Sequence, residues 1–97
     1  MRILLVENQA GLRAVAKKGL EELSISVETI SDGSDAFRRA TEAPYDALVL
    51  DILLPGRDGF SIVRGLREMR NTVPVILLTA RATLPETLEA FDLGADV

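Results

Sequence analysis

Short apolar runs alternate along the chain with longer segments in which apolar and polar residues mix. Unbroken apolar runs occupy residues 3–6, 47–50 and 75–78, and a weakly alternating run, with Val27 as its apolar member, occupies residues 26–30. Unbroken runs of this length are typical of strands buried on both faces of a parallel sheet. Each run is therefore predicted to be a strand, and residues 26–30 are predicted to be a short, peripheral one.

Amphipathic helices are predicted between these strands. The apolar positions of the first three helices are, in chain order, Leu12, Val15, Ala16, Gly19, Leu20 and Leu23; Ala36, Phe37 and Ala40; and Phe60, Val63, Leu66 and Met69. Ser34 is the predicted N-cap of the second helix. A fourth helix, with Pro85 in its first turn and Gly94 at its end, is predicted after the last strand. The order is thus strand then helix, four times.

This alternation predicts the fold class. Buried strands that alternate with helices form an α/β, doubly wound parallel sheet, with right-handed crossovers and helices on both faces. Linkers, repeats and low-complexity segments are absent from the sequence. One domain is therefore expected over residues 1–97.

Polar residues stand where three of the strands end. Glu7 and Asn8 follow the first strand, Asp51 ends the third, and Thr79 follows the fourth. The carboxyl ends of parallel strands open onto one crevice, so these side chains are expected to converge there. Two carboxylates, an amide oxygen and a hydroxyl suit a hard cation, above all Mg²⁺. In the structural alternative, Glu7 and Asn8 cap the first helix and Thr79 bonds to its own loop.

Composition removes several classes of function. The 97 residues include no Cys and no His, which excludes disulfides, thiol nucleophiles and the commonest general base. A net charge of −4 argues against direct contact with nucleic acid. Apolar runs are far shorter than the ~18 residues of a membrane span or the core of a signal peptide. A soluble, cytoplasmic chain is expected, with no membrane contact.

Two further classes of protein are excluded by the residues at specific positions. Phosphatases of the haloacid-dehalogenase kind need a second Asp two residues after the first, and that position holds Leu53. A nucleotide-binding module needs a glycine-rich turn after the first strand, and residues 7–11 (ENQAG) do not supply one.

Five segments resemble a known family. They are residues 3–7 (ILLVE), 45–51 (YDALVLD), 54–59 (LPGRDG), 74–81 (PVILLTAR) and 93–96 (LGAD). Together they resemble the receiver domain of two-component response regulators, most closely the OmpR/PhoB-type receivers that precede a winged-helix DNA-binding domain. The resemblance implies a flavodoxin-like fold with strand order 2-1-3-4, and places the family's fifth strand and last helix after residue 97.

The resemblance also implies roles for individual residues. Asp51 corresponds to the phosphoacceptor, which takes a phosphoryl group from a sensor histidine kinase. Glu7, Asn8, Asp51 and the backbone carbonyl of Leu53 correspond to the Mg²⁺ ligands. Such a chain is not a conventional enzyme, since it catalyses at most its own phosphoryl transfer and dephosphorylation.

The resemblance also implies that residues just after the fourth strand respond to phosphorylation. Thr79 corresponds to the hydroxyl that turns toward the phosphoryl group, and Ala80 leaves room for that group. The resemblance implies a switched output such as DNA binding, by a domain outside this chain.

Departures from the family keep a second function open. Asn8 replaces a carboxylate, so the site has two formal negative charges where three are usual, and weaker Mg²⁺ binding is expected. The family's active-site Lys lies after the last residue, and Arg81 is the nearest cation in sequence. The alternative is a receiver-like interaction module that works without phosphorylation. An uncovered edge at residues 75–79 also predicts self-association.

Overall fold

The structure is a computed structural model that describes residues 1–78. Thr79, Ala80, Arg81 and the predicted fourth helix lie outside the described residues. The elements are β1 (Arg2–Val6), α1 (Ala10–Glu22), β2 (Ser26–Ile30), α2 (Gly33–Glu42), β3 (Ala47–Asp51), α3 (Gly59–Glu68) and β4 (Val75–Leu78). The four strands and three helices predicted within this part of the chain are confirmed.

The strands form one parallel sheet in the order β2-β1-β3-β4. This confirms the predicted doubly wound fold class, the strand order 2-1-3-4 and the peripheral position of β2. Val6 pairs with Ile30 on one side and with Leu50 on the other. The carboxyl ends of β1 and β3 therefore lie level with each other, which sets the geometry of the candidate site.

The main core lies between the sheet and the helices α2 and α3. Its buried side chains alternate along the strands and are joined by one face of each helix: Leu4, Val6, Leu48, Leu50, Val75 and Leu77 from the sheet, Ala36 and Ala40 from α2, and Ile62, Val63 and Leu66 from α3. Burial of each Leu, Ile or Val side chain contributes about 1.5–3 kcal/mol. This layer therefore holds β1 and β3 in register.

The opposite face of the sheet is covered unevenly, and the prediction that β4 is buried on both faces is wrong. Ile76 and Leu78 are 43% and 44% exposed. Among residues 1–78, the helix on this face is α1, which packs on β1 and β2, toward the edge of the sheet opposite to β4. No residue of α1 itself is buried, so Leu12 and Val15 remain largely exposed although they lie on its apolar face.

Two local predictions about the helices are corrected. Asp32, not Ser34, is the N-cap of α2, because its carboxylate accepts the backbone N–H groups of Ser34 and Asp35. Met69 lies after the end of α3 and is 57% exposed. A spacing of three residues drifts around a helix of 3.6 residues per turn, so the buried stripe passes through Ile62 instead.

None of the helices within residues 1–78 is long and apolar enough to cross a membrane.

Candidate functional site

The candidate site lies at the carboxyl end of the two central strands. Asp51 is the last residue of β3, and Glu7 follows β1 directly. Because Val6 pairs with Leu50, the residues after that pair emerge side by side. The Glu7 side chain is buried, at 3% exposure, Asp51 is half-buried, and Asn8 is exposed. The structure therefore brings the two carboxylates of Glu7 and Asp51 together, and Asn8 follows Glu7 at an exposed position.

The electrostatics of the site are set by the two neighbouring carboxylates. Burial raises the pKa of Glu7 above its ordinary value, and both the charge of Asp51 and a hydrogen bond with its side chain raise it further. The backbone N–H groups of Gln9 and Asn8 act in the opposite direction, and that of Gln9 donates to Glu7 Oε1 at 3.0 Å. Two negative charges at this site therefore repel each other, and a bound cation would reduce the repulsion.

The capping alternative for Glu7 and Asn8 finds limited support. The N-cap of α1 is Gln9, whose side chain makes no capping hydrogen bond. Glu7 accepts the Gln9 N–H, but this bond occupies only one of its two carboxylate oxygens. The Glu7 carboxylate also interacts with the side chain of Asp51.

The loop after Asp51 turns back on its carboxylate. The backbone N–H of Leu53 donates to Asp51 Oδ1 at 3.2 Å. The Leu53 side chain points into solvent, at 71% exposure. Any contribution of this residue to the site therefore comes from its backbone, and the role of its carbonyl stays a prediction.

Sequence reasoning missed Arg13, which lies near the acidic pair. Its Nη1 donates to the backbone carbonyl oxygen of Glu7 at 2.9 Å. In the sequence, Arg13 only marks the polar side of an amphipathic helix, and nothing in that pattern points back to β1. The guanidinium binds a carbonyl and not a carboxylate, so it fixes the backbone at the start of the site.

The donor set at the site consists of oxygen atoms. Within residues 1–78, no three His, Cys, Asp or Glu side chains lie close enough to hold a metal ion. The acidic pair of Glu7 and Asp51 would need the amide of Asn8, the Leu53 carbonyl and water to complete a coordination shell. These are hard ligands, which suit Mg²⁺.

A comparison with protein families identifies the class of this chain. Residues 3–97 match the family described as response regulator receiver domain. The chain belongs to this family, which confirms the resemblance drawn from its motifs.

Curated relatives are transcriptional regulators. The transcriptional regulatory protein TcrA of Mycobacterium tuberculosis is 40% identical over 96 residues, which cover 99% of this chain and 38% of TcrA. QseB of Escherichia coli O157:H7 is 43% identical over 96 residues, covering 99% of this chain and 44% of QseB. The chain thus spans less than half of the length of these relatives.

Solved structures of receiver domains share the fold. The receiver domain of the Francisella response regulator 1452 superposes with a TM-score of 0.93 at 27% identity, covering 98% of this chain and 78% of that one. The receiver domain of the sensor histidine kinase PA1611 from Pseudomonas aeruginosa PAO1 gives a TM-score of 0.87 at 34% identity, covering 99% and 82%. That second structure has a magnesium ion coordinated in its active-site cleft.

Proposed function

We propose that this chain is the phosphoacceptor of a two-component signalling system and that Asp51 is the residue phosphorylated. The observation that supports the proposal is that Asp51, at the end of β3, interacts with the buried Glu7 carboxylate, which follows β1. In the reaction, an Asp51 carboxylate oxygen forms a bond to the phosphorus of a phosphohistidine on a sensor kinase. The nitrogen–phosphorus bond breaks, and the electron pair leaves with the imidazole.

The geometry at Asp51 suits it to act as this nucleophile. The Leu53 N–H holds Oδ1, so the carboxylate is oriented and Oδ2 is the oxygen that attacks. β3 fixes the backbone of Asp51, because this residue pairs with Leu78 of β4. The nucleophile therefore rests on a strand in the middle of the sheet, and only the loop after it must adapt to the incoming group.

Glu7, Asn8, Asp51 and the Leu53 carbonyl would hold Mg²⁺. The fit rests on the buried Glu7, whose pKa is raised by its burial and by Asp51, and on a donor set made only of oxygen. When bound, Mg²⁺ supplies neutralisation of the charge on the phosphoryl oxygens. Asn8 adds no charge to the site, so affinity is expected to be lower than with a third carboxylate.

The output of the signal is proposed from the relatives. Both relatives described above are named transcriptional regulatory proteins. We infer a cytoplasmic regulator in which Thr79 and Ala80 respond to the phosphoryl group and a domain outside residues 1–97 binds DNA. Replacing Thr79 with Ala should leave phosphorylation of Asp51 intact while it uncouples the output.

Intact-mass spectrometry of the chain with a small phosphodonor tests this function. The wild type should gain one phosphoryl group in the presence of Mg²⁺, and the Asp51→Asn variant should gain none. Asp35→Asn is the matched control, since Asp35 is an exposed residue of α2 that pairs with Arg38. Equal modification of wild type and Asp51→Asn would reject Asp51 as the acceptor.

Asn8 favours a second function, a receiver-like module that binds partners without phosphorylation. Loss of one carboxylate from the site weakens the case for tight Mg²⁺ binding. If the wild type stays unmodified at saturating Mg²⁺ while Asn8→Asp is phosphorylated, the interaction module becomes the better description.

A further inference from the structure

The loop that joins β3 to α3, residues 52–58, is fastened to the start of α2. The backbone N–H of Gly33 donates to the carbonyl oxygen of Pro55 at 2.9 Å. The two backbones approach so closely that a Cβ on Gly33 would lie 1.7 Å from the carbonyl oxygen of Arg57. Only glycine allows this contact.

The loop makes the same close approach from its own side. Gly56 has a φ of +79°, which favours glycine, and a Cβ there would lie 2.7 Å from Ser34 Oγ and 2.9 Å from Asp32 Oδ2. The Asp32 carboxylate is already engaged, because Oδ1 accepts the N–H of Ser34 at 2.8 Å. The cap of α2 and the turn of the loop therefore interlock.

Arg57 fastens the far end of the loop. Its guanidinium stacks 3.7 Å from the centre of the Phe37 ring on α2. Its Nε also donates to Ser61 Oγ on α3 at 2.8 Å. The loop is thus held at Pro55 by the first turn of α2 and at Arg57 by both helices.

We propose that Gly33 is a positioning residue for the metal site. Contact between Gly33 and the loop sets the place of the Leu53 carbonyl and, through it, the affinity for Mg²⁺; this rests on the function proposed above. Helix α2 is the firm side of the contact, because Ala36 and Ala40 are buried in the core. Within the loop, Leu53 is the residue that can shift, since it is exposed while Ile52 before it is buried.

A displaced loop should weaken Mg²⁺ binding while the backbone of Asp51 keeps its place, because Asp51 pairs with Leu78 within the sheet. In Gly33→Ala, the dissociation constant for Mg²⁺ measured by calorimetry should rise about tenfold or more. The Mg²⁺ concentration that half-saturates phosphorylation should rise by the same factor, while the rate at saturating Mg²⁺ stays within about twofold of wild type. Gly19→Ala is the control, since nothing lies within 4 Å of its added Cβ.

The outcomes separate positioning from a merely structural role. An unchanged Mg²⁺ affinity in a folded Gly33→Ala chain overturns the proposal, and so does a lower saturating rate with unchanged affinity. If circular dichroism shows that Gly33→Ala does not fold, the Arg57→Gln variant tests the proposal instead. It removes the contacts of the loop with Phe37 and Ser61 without adding volume. Arg57→Gln should raise the dissociation constant several-fold, and wild-type affinity overturns the proposal. A wild type that binds no Mg²⁺ overturns the proposed function itself.

Discussion

The Glu7 carboxylate is buried beside Asp51, and the negative charge of Asp51 contributes to the raised pKa of Glu7. This relationship follows from the register of two parallel strands, because Val6 and Leu50 pair and the next residues leave the sheet together. Two like charges in one partly dry site favour a bound cation. The stability of the fold and the proposed activity are therefore opposed at Glu7.

The first prediction concerns Glu7 directly. Glu7→Gln keeps the shape of the side chain and removes its charge, so it should stabilise the metal-free chain at neutral pH by on the order of 1 kcal/mol. The same change should weaken Mg²⁺ binding. Urea unfolding in a chelator and calorimetry with Mg²⁺ measure the two effects. A variant less stable than wild type without metal would show that burial of this charge has no cost.

The second prediction concerns Asn8. Asn8→Asp adds a carboxylate at the exposed side of the acidic pair and should tighten Mg²⁺ binding by about tenfold, which corresponds to about 1.4 kcal/mol. Asn71→Asp makes the same chemical change in the loop before β4, where Asn71 Oδ1 accepts the Val73 N–H, and should leave the affinity unchanged. Equal affinities for wild type and Asn8→Asp would place residue 8 away from the ion.

The strand ends were predictable from sequence because a buried parallel strand is a local signal. Apolar runs stopped by Glu7 or by Asp51 reveal both the strand and its polar end, and parallel topology then brings the ends together. The strand order did not follow from these local signals and was predicted only from the resemblance to receiver domains. Burial was harder to predict, since Ile76 and Leu78 have the apolar character of core residues and yet are exposed.

Contacts between distant segments could not be predicted from pattern. Gly33 and Pro55 are hydrogen-bonded across an intervening helix and strand, and no periodicity links them. The contacts of Arg13 and Asp32 were not predicted for a similar reason, because a charged residue on a helix or in a turn has several partners within reach. Their actual partners depend on the packing of the finished sheet.

The third prediction concerns a charged network at the edge of the sheet, away from the acidic site. Glu28 on β2 accepts hydrogen bonds from Arg2, from Arg39 and, at 2.6 Å, from the Tyr45 hydroxyl. Tyr45 and Arg2 lower the pKa of Glu28. Glu28→Gln should lower the free energy of unfolding by about 1 kcal/mol, which lowers the melting temperature by about 4–8 °C at neutral pH.

The sign of this pKa shift gives the pH dependence. A carboxyl group whose pKa is lowered by folding stabilises the protein above its ordinary pKa of 4.5, and this stabilisation is lost as the pH falls through the folded-state value. The difference in melting temperature between wild type and Glu28→Gln should therefore shrink below about pH 4. Tyr45→Phe removes one hydrogen-bond donor to Glu28 and should lower the melting temperature by less than Glu28→Gln does. A difference independent of pH would contradict this account.

The fourth prediction concerns self-association. Within residues 1–78, β4 has a partner strand on one side only, and Ile76 and Leu78 are exposed on one of its faces. Such an edge is a template for pairing with another chain. Sedimentation should detect oligomers that Ile76→Lys reduces, while Thr72→Lys, at an exposed position before the strand, leaves them unchanged. A monomer at high concentration would refute the prediction.

The central claim is that Asp51 accepts a phosphoryl group in a reaction that needs Mg²⁺. Peptide mapping by mass spectrometry, after treatment with a small phosphodonor, tests it most directly. The account predicts that the phosphoryl group is found on Asp51 alone and that a chelator abolishes the modification. Phosphorylation at any other residue, or at Asp51 with equal yield in the chelator, would contradict it.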